Sequence, residues 1–290
     1  MARKAKRFSP WKFGILVIIQ FTLLLIGIRL FFPRVWDNQF AAGAWPVVFV
    51  FLGTHLFNCF FEWFFHRYIL HAIPIRWLGQ FARDHRRHHQ LTQIRLRQEG
   101  PGRIILNEYP IVREEQYEKS TFPAWALVAF WGLLTPVLVG LQICFPHVPF
   151  LVSGYGAITW SLACYEIFHH LEHLPFEWWQ KRIQHPRFGG FWKKVYGFHH
   201  MHHANIKCNE AISGFFGLPC ADWLLRTYFQ PRNLLLHGRT ATVDEFILPP
   251  PRRVVIWLDQ WVRKHEAKLV RKSRQNASEK QDAKIGSTPE

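Results

Sequence analysis

The chain has 290 residues, of which 36 are lysine or arginine, 20 are aspartate or glutamate and 17 are histidine, for a formal net charge of +16. Hydrophobic residues make up 49% of it and are concentrated in four long stretches, which excludes an ordinary water-soluble domain. Five cysteines without paired spacing exclude a disulfide framework. The positive charge follows the edges of the apolar stretches, so we predict attraction to anionic lipid and no nucleic-acid partner.

Each apolar stretch is long enough to cross a hydrocarbon core of about 30 Å as a helix that rises 1.5 Å per residue. The four are Phe13–Phe32, Trp45–Phe65, Phe122–Phe145 and Val148–Phe168. The first lacks the small-residue cleavage site of a signal peptide. The sequence therefore predicts an all-α, multi-pass membrane protein with about four transmembrane helices.

Lysine and arginine predict the orientation of these helices. They are dense before the first stretch, between the second and third, and throughout the C-terminal third, whereas the two remaining loops hold one arginine between them. The positive-inside rule then places both termini and the 66–121 loop in the cytoplasm. The host membrane is predicted to be a bacterial inner membrane or the endoplasmic reticulum.

Histidine recurs in one pattern, His-x-x-His-His, which chance would produce twice in this chain only roughly 0.002 times. The two copies are His85, His88 and His89, and His199, His202 and His203. Two further pairs follow the ends of apolar stretches: His66 and His71 after the second, and His169 and His173 after the fourth. Because both stretches run toward the cytoplasm, all ten histidines are predicted to meet at one membrane face.

The spacing of these histidines predicts two metal ions. On a helix, histidines three or four residues apart project the same way, whereas adjacent histidines diverge by about 100°. Each His-x-x-His-His copy can therefore address two ions. Neutral imidazoles suit zinc, copper, iron and nickel, and ten ligands are too many for one tetrahedral ion. We predict a dimetal site carried by a cytoplasmic helical cap.

Six further side chains are predicted to support the ligands. Glu62, Asp84, Glu166 and Glu172 are expected to accept the second ring N–H of a ligand imidazole. His170 either replaces His169 as a ligand or orients it, and His200 is expected to lie behind the ligands. The remaining histidines match no pattern and are expected to be ordinary surface or core residues: His55, His147, His185, His237 and His265.

The order and spacing of the ten histidines resemble the fatty acid hydroxylase/sterol desaturase superfamily of membrane diiron oxygenases. That family has His-x(3–4)-His, His-x-x-His-His, a later His-x(2–3)-His near a span end and a final His-x-x-His-His. A downstream stretch is also similar, with Asn209, Asp222 and Thr227 at corresponding places. Two positions depart from the family: Ala221-Asp222 replaces Trp-Asp, and Arg226 stands where glycine is usual.

The resemblance covers roughly residues 45–230 and implies two iron ions, O2 as co-substrate and hydroxylation of a C–H bond of a membrane lipid. The lipid class stays open between fatty acyl, sphingolipid and sterol-like molecules. Electrons would come from an external donor of the cytochrome b5 or ferredoxin type, because no flavin, haem or iron–sulfur motif is visible. The basic face could receive an acidic donor.

Two alternatives remain. A lipid or sterol desaturase would use the same metal centre, although acyl-lipid desaturases usually separate their first two histidine boxes by two membrane crossings. A non-catalytic metal-binding membrane protein belongs to another class, and transport would require more polar residues within the spans.

The chain is accordingly divided into four parts. Residues 1–44 are a basic N-terminus and first span, and residues 45–230 are the catalytic domain. Residues 231–272 are a cytoplasmic or interfacial segment with a helix from Arg252 that packs on the cap or rests on the membrane. Residues 273–290 are expected to be a disordered tail. Within the catalytic domain, residues 93–120 are expected to form an irregular cytoplasmic excursion, and "LPFEWWQKR" within 174–198 is expected to lie in the membrane interface.

Overall fold

The structure, a computed structural model, describes residues 8–72 and 76–268. The first basic residues and the predicted tail at 273–290 lie outside the described residues. The helices are α1 (Pro10–Phe31), α2 (Pro33–Ala41), α3 (Ala44–Phe64), α4 (Gly79–Leu91), α5 (Glu114–Lys119), α6 (Ala126–Cys144), α7 (Phe150–Glu172), α8 (Phe176–Ile183), α9 (Gly189–Ala204) and α10 (Cys220–Leu225). Residues 253–268 form a further helix, α11. A π-helical turn, Phe65–Leu70, continues α3 directly, and short 3-10 turns cover Arg76–Leu78 and Val243–Phe246.

Three helical segments are long and apolar enough to cross a membrane: Pro10–Phe31, Ala44–Leu70 and Ala126–Cys144. They confirm a membrane-associated protein. The fourth predicted stretch forms α7, a 23-residue helix that carries Ser153, Glu166 and His169 and is not among the three. The loop predicted between the first two spans is itself helical, as α2.

Helix α7 lies at the centre of the helical bundle. It packs most extensively on α3 and also contacts α6 and α1. A cluster of buried apolar side chains fills the space between these helices, with Phe130, Trp131 and Leu134 contributed by α6. Gly154 permits the close approach of α6, because a Cβ at this position would lie 2.6 Å from a methyl carbon of Leu138. The centre of the bundle therefore positions the C-terminal ends of α3 and α7.

A β-hairpin corrects the all-α prediction and the predicted irregular excursion. Strand β1 (Ile94–Glu99) pairs antiparallel with β2 (Gly102–Asn107), and Gly100 adopts a φ of +57° at the turn. Ile94 and Ile105 are buried against Trp179 and Tyr196. The basic residues that alternate with these apolar ones disguised a half-buried strand pattern.

The part of the described chain outside the bundle, residues 76–120 and 173–268, is called the cap below. Trp179 of α8 is 2% exposed and packs inside the cap, so the predicted interfacial segment is core at this residue. Helix α11 packs on the bundle through Val255 and Val262, which join a cluster around Trp63. Packing of this face is one of the two predicted positions for the helix, and contact of its exposed face, which carries Trp257 and Trp261, with the membrane stays a prediction.

Arg226 follows α10 with a φ of +57°, in the left-handed region that favours glycine. Replacing it with glycine, Arg226→Gly, should stabilise the protein by about 1 kcal/mol, because the strained Cβ is removed. The apparent Tm in detergent should rise by roughly 2–4 °C. The control Arg226→Ala removes the side chain but keeps the Cβ, so an equal rise in both variants would contradict backbone strain as the cause.

Candidate metal centre

The ten predicted histidines come together in two groups of five. One group contains His66, His71, His85, His89 and His202, and the other contains His88, His169, His173, His199 and His203. Within each group the five candidate nitrogen atoms all lie within 4.8 Å of one another. The groups are neighbours, since the rings of His89 and His203 stack with centroids 4.1 Å apart. Each group could hold one metal ion.

The first histidine pair depends on the π-helical turn at the end of α3. On an α-helix, His66 and His71 would diverge by about 140°, because they are five residues apart. A π-helix hydrogen-bonds residues five apart and has more residues per turn, so it brings two such side chains closer to the same face. The turn at Phe65–Leu70 therefore aligns the two rings, whose centroids lie 5.2 Å apart.

Helices α4 and α9 each contribute to both groups, as their spacing predicts. His85 and His89, four residues apart on α4, enter one group while His88 enters the other. Helix α9 reverses this division: His199 and His203 join His88, and His202 joins His85. Each helix therefore spans both candidate metal positions.

Helix α7 places His169, and not His170, in the second group. The Nε2 atom of His169 lies 3.2 Å from Nε2 of His88, inside the second group. His173 caps the same helix one turn later, with its Nε2 3.0 Å from His88 Nε2. The ring of His170 contacts Phe8 instead, on another side of the helix.

Hydrogen bonds fix the tautomers of most rings in the second group. The Nδ1–H of His173 donates to the Tyr109 carbonyl at 2.8 Å, and that of His169 to the Ser120 carbonyl at 3.1 Å. His88 Nδ1 lies 2.9 Å from the Ser120 hydroxyl, whose own proton goes to the Gln116 carbonyl. His88 must therefore donate as well. In all three rings Nε2 then carries a lone pair rather than a proton.

These lone pairs face one another at short range, which is the test of whether the site fits a metal. In the second group the Nε2–Nε2 distances along the chain of rings are 3.0–3.2 Å. Opposed lone pairs repel, whereas a cation among them converts each into a ligand. Imidazole nitrogens about 2.0–2.1 Å from one ion, at angles between 90° and tetrahedral, lie about 2.9–3.4 Å apart. The observed separations match that range.

The first group has the same organisation. His66 Nδ1 donates to the Glu210 carbonyl at 2.7 Å, and His202 Nδ1 donates to the Cys208 carbonyl at 2.7 Å. His66 Nε2 lies 2.9 Å from His85 Nε2. The buried Nε2 atom of His202 has no hydrogen-bond partner within the described part of the chain. Both groups therefore present unprotonated nitrogens to a shared interior.

Burial keeps the cap imidazoles neutral. It lowers the pKa of His88 well below the usual value, and a charge on neighbouring His173 would lower it further. The pKa of His203 is lowered in the same way by burial and then by His89 and His199. Neutral imidazole is the form that binds metals. The site is therefore ready to ligate a cation without first losing protons.

The predicted carboxylate partners of the imidazoles are corrected by the structure. Glu62 accepts hydrogen bonds from Ser213 and Gly214, and Glu166 accepts one from the backbone N–H of Phe122 at 2.8 Å. Asp84 pairs with Lys119 at 2.9 Å. Glu172 is buried with one carboxylate oxygen unpartnered among the described residues. Backbone carbonyls accept the hydrogen bonds of the imidazole N–H groups instead. These carbonyls belong to loops that are distant from the histidines in sequence.

Glu210 is the residue that the sequence reasoning missed. Its backbone carbonyl accepts from His66, and one of its carboxylate oxygens lies 3.7 Å from His66 Nδ1 and 3.9 Å from His202 Nδ1. Burial raises the pKa of this carboxyl well above its usual value, while the Arg67 guanidinium at 2.8 Å opposes the rise. Asp259 of α11 binds the other side of Arg67 at 2.8 Å. The sequence contains one indication of its role: Glu210 directly follows Asn209, in the stretch "NEAIS" that begins the downstream similarity to the family.

The Asn209, Asp222 and Thr227 stretch holds Glu210 in place. The Asp222 carboxylate accepts from the backbone N–H groups of Glu210 and Ala211 at 3.0 and 2.9 Å, and from the Thr227 hydroxyl. Asn209 has a φ of +56° and its amide binds the Phe198 and Phe229 carbonyls at 2.7 Å. Asn209, Asp222 and Thr227 therefore do not contact the imidazoles. They position the loop whose carbonyls accept hydrogen bonds from His66 and His202.

His200 lies behind the ligands, as predicted. Its ring is buried, its Nε2 accepts from the Asn107 amide at 2.8 Å, and burial lowers its pKa to about 3. The unmatched His147, His185 and His265 belong to neither group. His55 is buried within α3, well before the metal ligands in the chain.

No protein-family model, curated protein or solved structure matches this chain. The resemblance of the histidine pattern to a diiron superfamily therefore stays a prediction.

Removing one imidazole from either group should reduce metal binding. We expect His88→Ala and His202→Ala each to lower the amount of metal bound per chain, because each removes an imidazole from a different group. Elemental analysis of the purified full chain after iron loading measures this. His147→Ala and His265→Ala are matched controls outside the groups. Equal metal content in all four variants would rule out these imidazoles as ligands.

Proposed function

We propose that this protein is an O2-dependent diiron oxidoreductase that hydroxylates a C–H bond of a membrane lipid. One observation carries the proposal: two adjacent groups of five largely buried imidazoles, which include His66 and His71 at the end of the apolar segment Ala44–Leu70. Ten nitrogen ligands without a cysteine differ from structural zinc sites, which favour thiolates and close at four ligands. Two bound iron ions would supply O2 activation and C–H oxidation. The histidine order of the superfamily supports the same reaction.

A cavity beside the first group supplies a place for the lipid. It lies between α3, α6 and α7 and is lined by apolar side chains such as Phe65, Phe130 and Leu134. His66, a member of the first group, lines it too. A hydrocarbon could reach the site from the bilayer without passing through water, which would otherwise cost about 0.8 kcal/mol per exposed CH₂ group. The chain would position the substrate, exclude water and hold the ligands.

The reaction needs two electrons and two protons from outside: RH + O2 + 2e⁻ + 2H⁺ gives ROH + H2O. We propose an external donor of the cytochrome b5 or ferredoxin type, docked on the basic face. A four-span topology, with α7 as the fourth crossing and both termini in the cytoplasm, would place all ten imidazoles on the donor's side.

The reaction outcome can be read directly from product mass. Iron-loaded protein given a membrane lipid extract, a reductant chain and ¹⁸O2 should yield a lipid that gains one labelled oxygen. His202→Ala should yield none, and His147→Ala should retain full yield.

Each other outcome assigns a different function. A lipid that loses two hydrogens without gaining label would make the protein a desaturase. Bound iron without O2 consumption, under either type of donor, would favour the non-catalytic metal-binding protein.

The proposed topology has its own test. A cysteine introduced at Arg95, in the exposed part of β1, should resist a membrane-impermeant thiol reagent in intact cells and react after permeabilisation. Native Cys144, exposed at the end of α6, provides a control on the opposite side and should be labelled without permeabilisation. Labelling of the Arg95 cysteine in intact cells would reverse the topology.

A further inference from the structure

The cavity between α3, α6 and α7 contains a polar feature that the metal site does not use. Asn58, Ser161, Glu62 and His66 are among its lining residues, and both carboxylate oxygens of Glu62 already accept hydrogen bonds from Ser213 and Gly214. Asn58 is 5% exposed. Its side-chain oxygen, Oδ1, has no hydrogen-bond partner among residues 8–72 and 76–268. A buried amide oxygen without a hydrogen bond in an apolar surrounding lowers the stability of the fold, so a ligand with a hydrogen-bond donor would be favoured at this atom.

The hydrogen bonds around Asn58 determine which way its amide points. The backbone N–H of Phe216 donates to His55 Nε2 at 3.1 Å, so in neutral His55 the proton is on Nδ1. That proton is donated to the Ser161 hydroxyl oxygen at 2.8 Å. The Ser161 hydroxyl proton goes to the Ala157 carbonyl at 2.8 Å.

Ser161 consequently has no proton left to give to Asn58. The contact of 2.9 Å between the two side chains requires Asn58 to donate through Nδ2, which leaves Oδ1 as the acceptor without a partner. Rotating the amide by 180° would place two acceptors against each other. The series of hydrogen bonds that begins at the Phe216 N–H therefore leaves Asn58 Oδ1 as a free acceptor on the cavity wall.

The position of Asn58 sets a distance from the metal centre. It lies eight residues before His66 on the same helix, which is about 12 Å at 1.5 Å per residue. The cavity has a volume of about 60 Å³. A space this narrow favours one extended hydrocarbon chain over a fused ring system.

We propose that Asn58 selects the substrate: it accepts a hydrogen bond from a hydroxyl group on an extended lipid chain, about 12 Å from the carbon that reaches the first histidine group. This inference rests on the proposed function for the identity of the reacting carbon. The recognition itself depends on the cavity alone. Asn58 is a specificity-determining residue, since it lies two helical turns from the imidazoles.

The test compares two probes that differ in one proton donor, 1-dodecanol and dodecyl methyl ether. The iron-loaded full chain in lipid nanodiscs receives both at equal mole fraction under nitrogen, and native mass spectrometry counts the bound molecules. The wild-type protein should bind the alcohol about three- to tenfold better than the ether, the value of one hydrogen bond. Asn58→Leu should abolish that preference.

Ile158→Val is the matched control, because Ile158 lines the same cavity and its replacement removes a methyl group without changing polarity. It should alter the binding of both probes equally and keep their ratio. Equal binding of the two probes by the wild-type protein would overturn the proposal, whether or not Asn58→Leu folds. A preference for the alcohol that survives in Asn58→Leu would overturn it as well.

Iron content, measured on the same samples, separates this proposal from the proposed function. A chain that binds no iron but prefers the alcohol through Asn58 would refute the diiron centre and keep the recognition site. A chain that binds iron without any preference for the alcohol would do the reverse.

Discussion

Ten neutral imidazoles whose nitrogen lone pairs face one another across about 3 Å impose the main constraint on this structure. Such an arrangement repels itself in the absence of a cation, and burial opposes the protonation that would otherwise relieve it. The surrounding fold favours a cation at this place. Histidines occupy the last turns of α4, α7 and α9, so the partial negative charge of three helix C-termini is directed toward the site.

A layer of backbone carbonyls transmits this constraint to the rest of the cap. The carbonyls of Tyr109, Ser120, Cys208 and Glu210 each accept a hydrogen bond from the Nδ1–H of a histidine in the two groups. None of these loops is regular, so their positions depend on packing farther out, such as the Asp222 carboxylate beneath Glu210. Backbone acceptors add no charge next to a cation, whereas a carboxylate at the same place would change the net charge of the centre.

The sequence predicted the clustering of the ten histidines well because histidine spacing on a helix is a local property. All ten candidates, and the division of α4 and α9 between two groups, follow from a periodicity of 3.6 residues. The π-helical turn could have been suspected from the five-residue spacing of His66 and His71, which an ordinary helix cannot align. The first three spans were likewise evident from their length and apolarity.

The supporting groups could not be predicted in the same way, because they come from far along the chain. The acceptor for His66 is 144 residues away and that for His203 is 111 residues away. Carboxylates close to a ligand in sequence, such as Glu62 and Asp84, were therefore chosen wrongly as its partners. The hairpin was missed for a related reason: its basic residues concealed Ile94 and Ile105, which are buried only because α8 and α9 cover them.

The separation of the ligands along the chain has a consequence for biosynthesis. His66 is made 136 residues before His202, yet both belong to one group, and His88 similarly precedes His203 in the other. Neither group is complete until α9 has left the ribosome, by which time α3 and α6 are already long enough to enter the bilayer. A chain that stops short of α9 therefore contains neither complete group of five histidines.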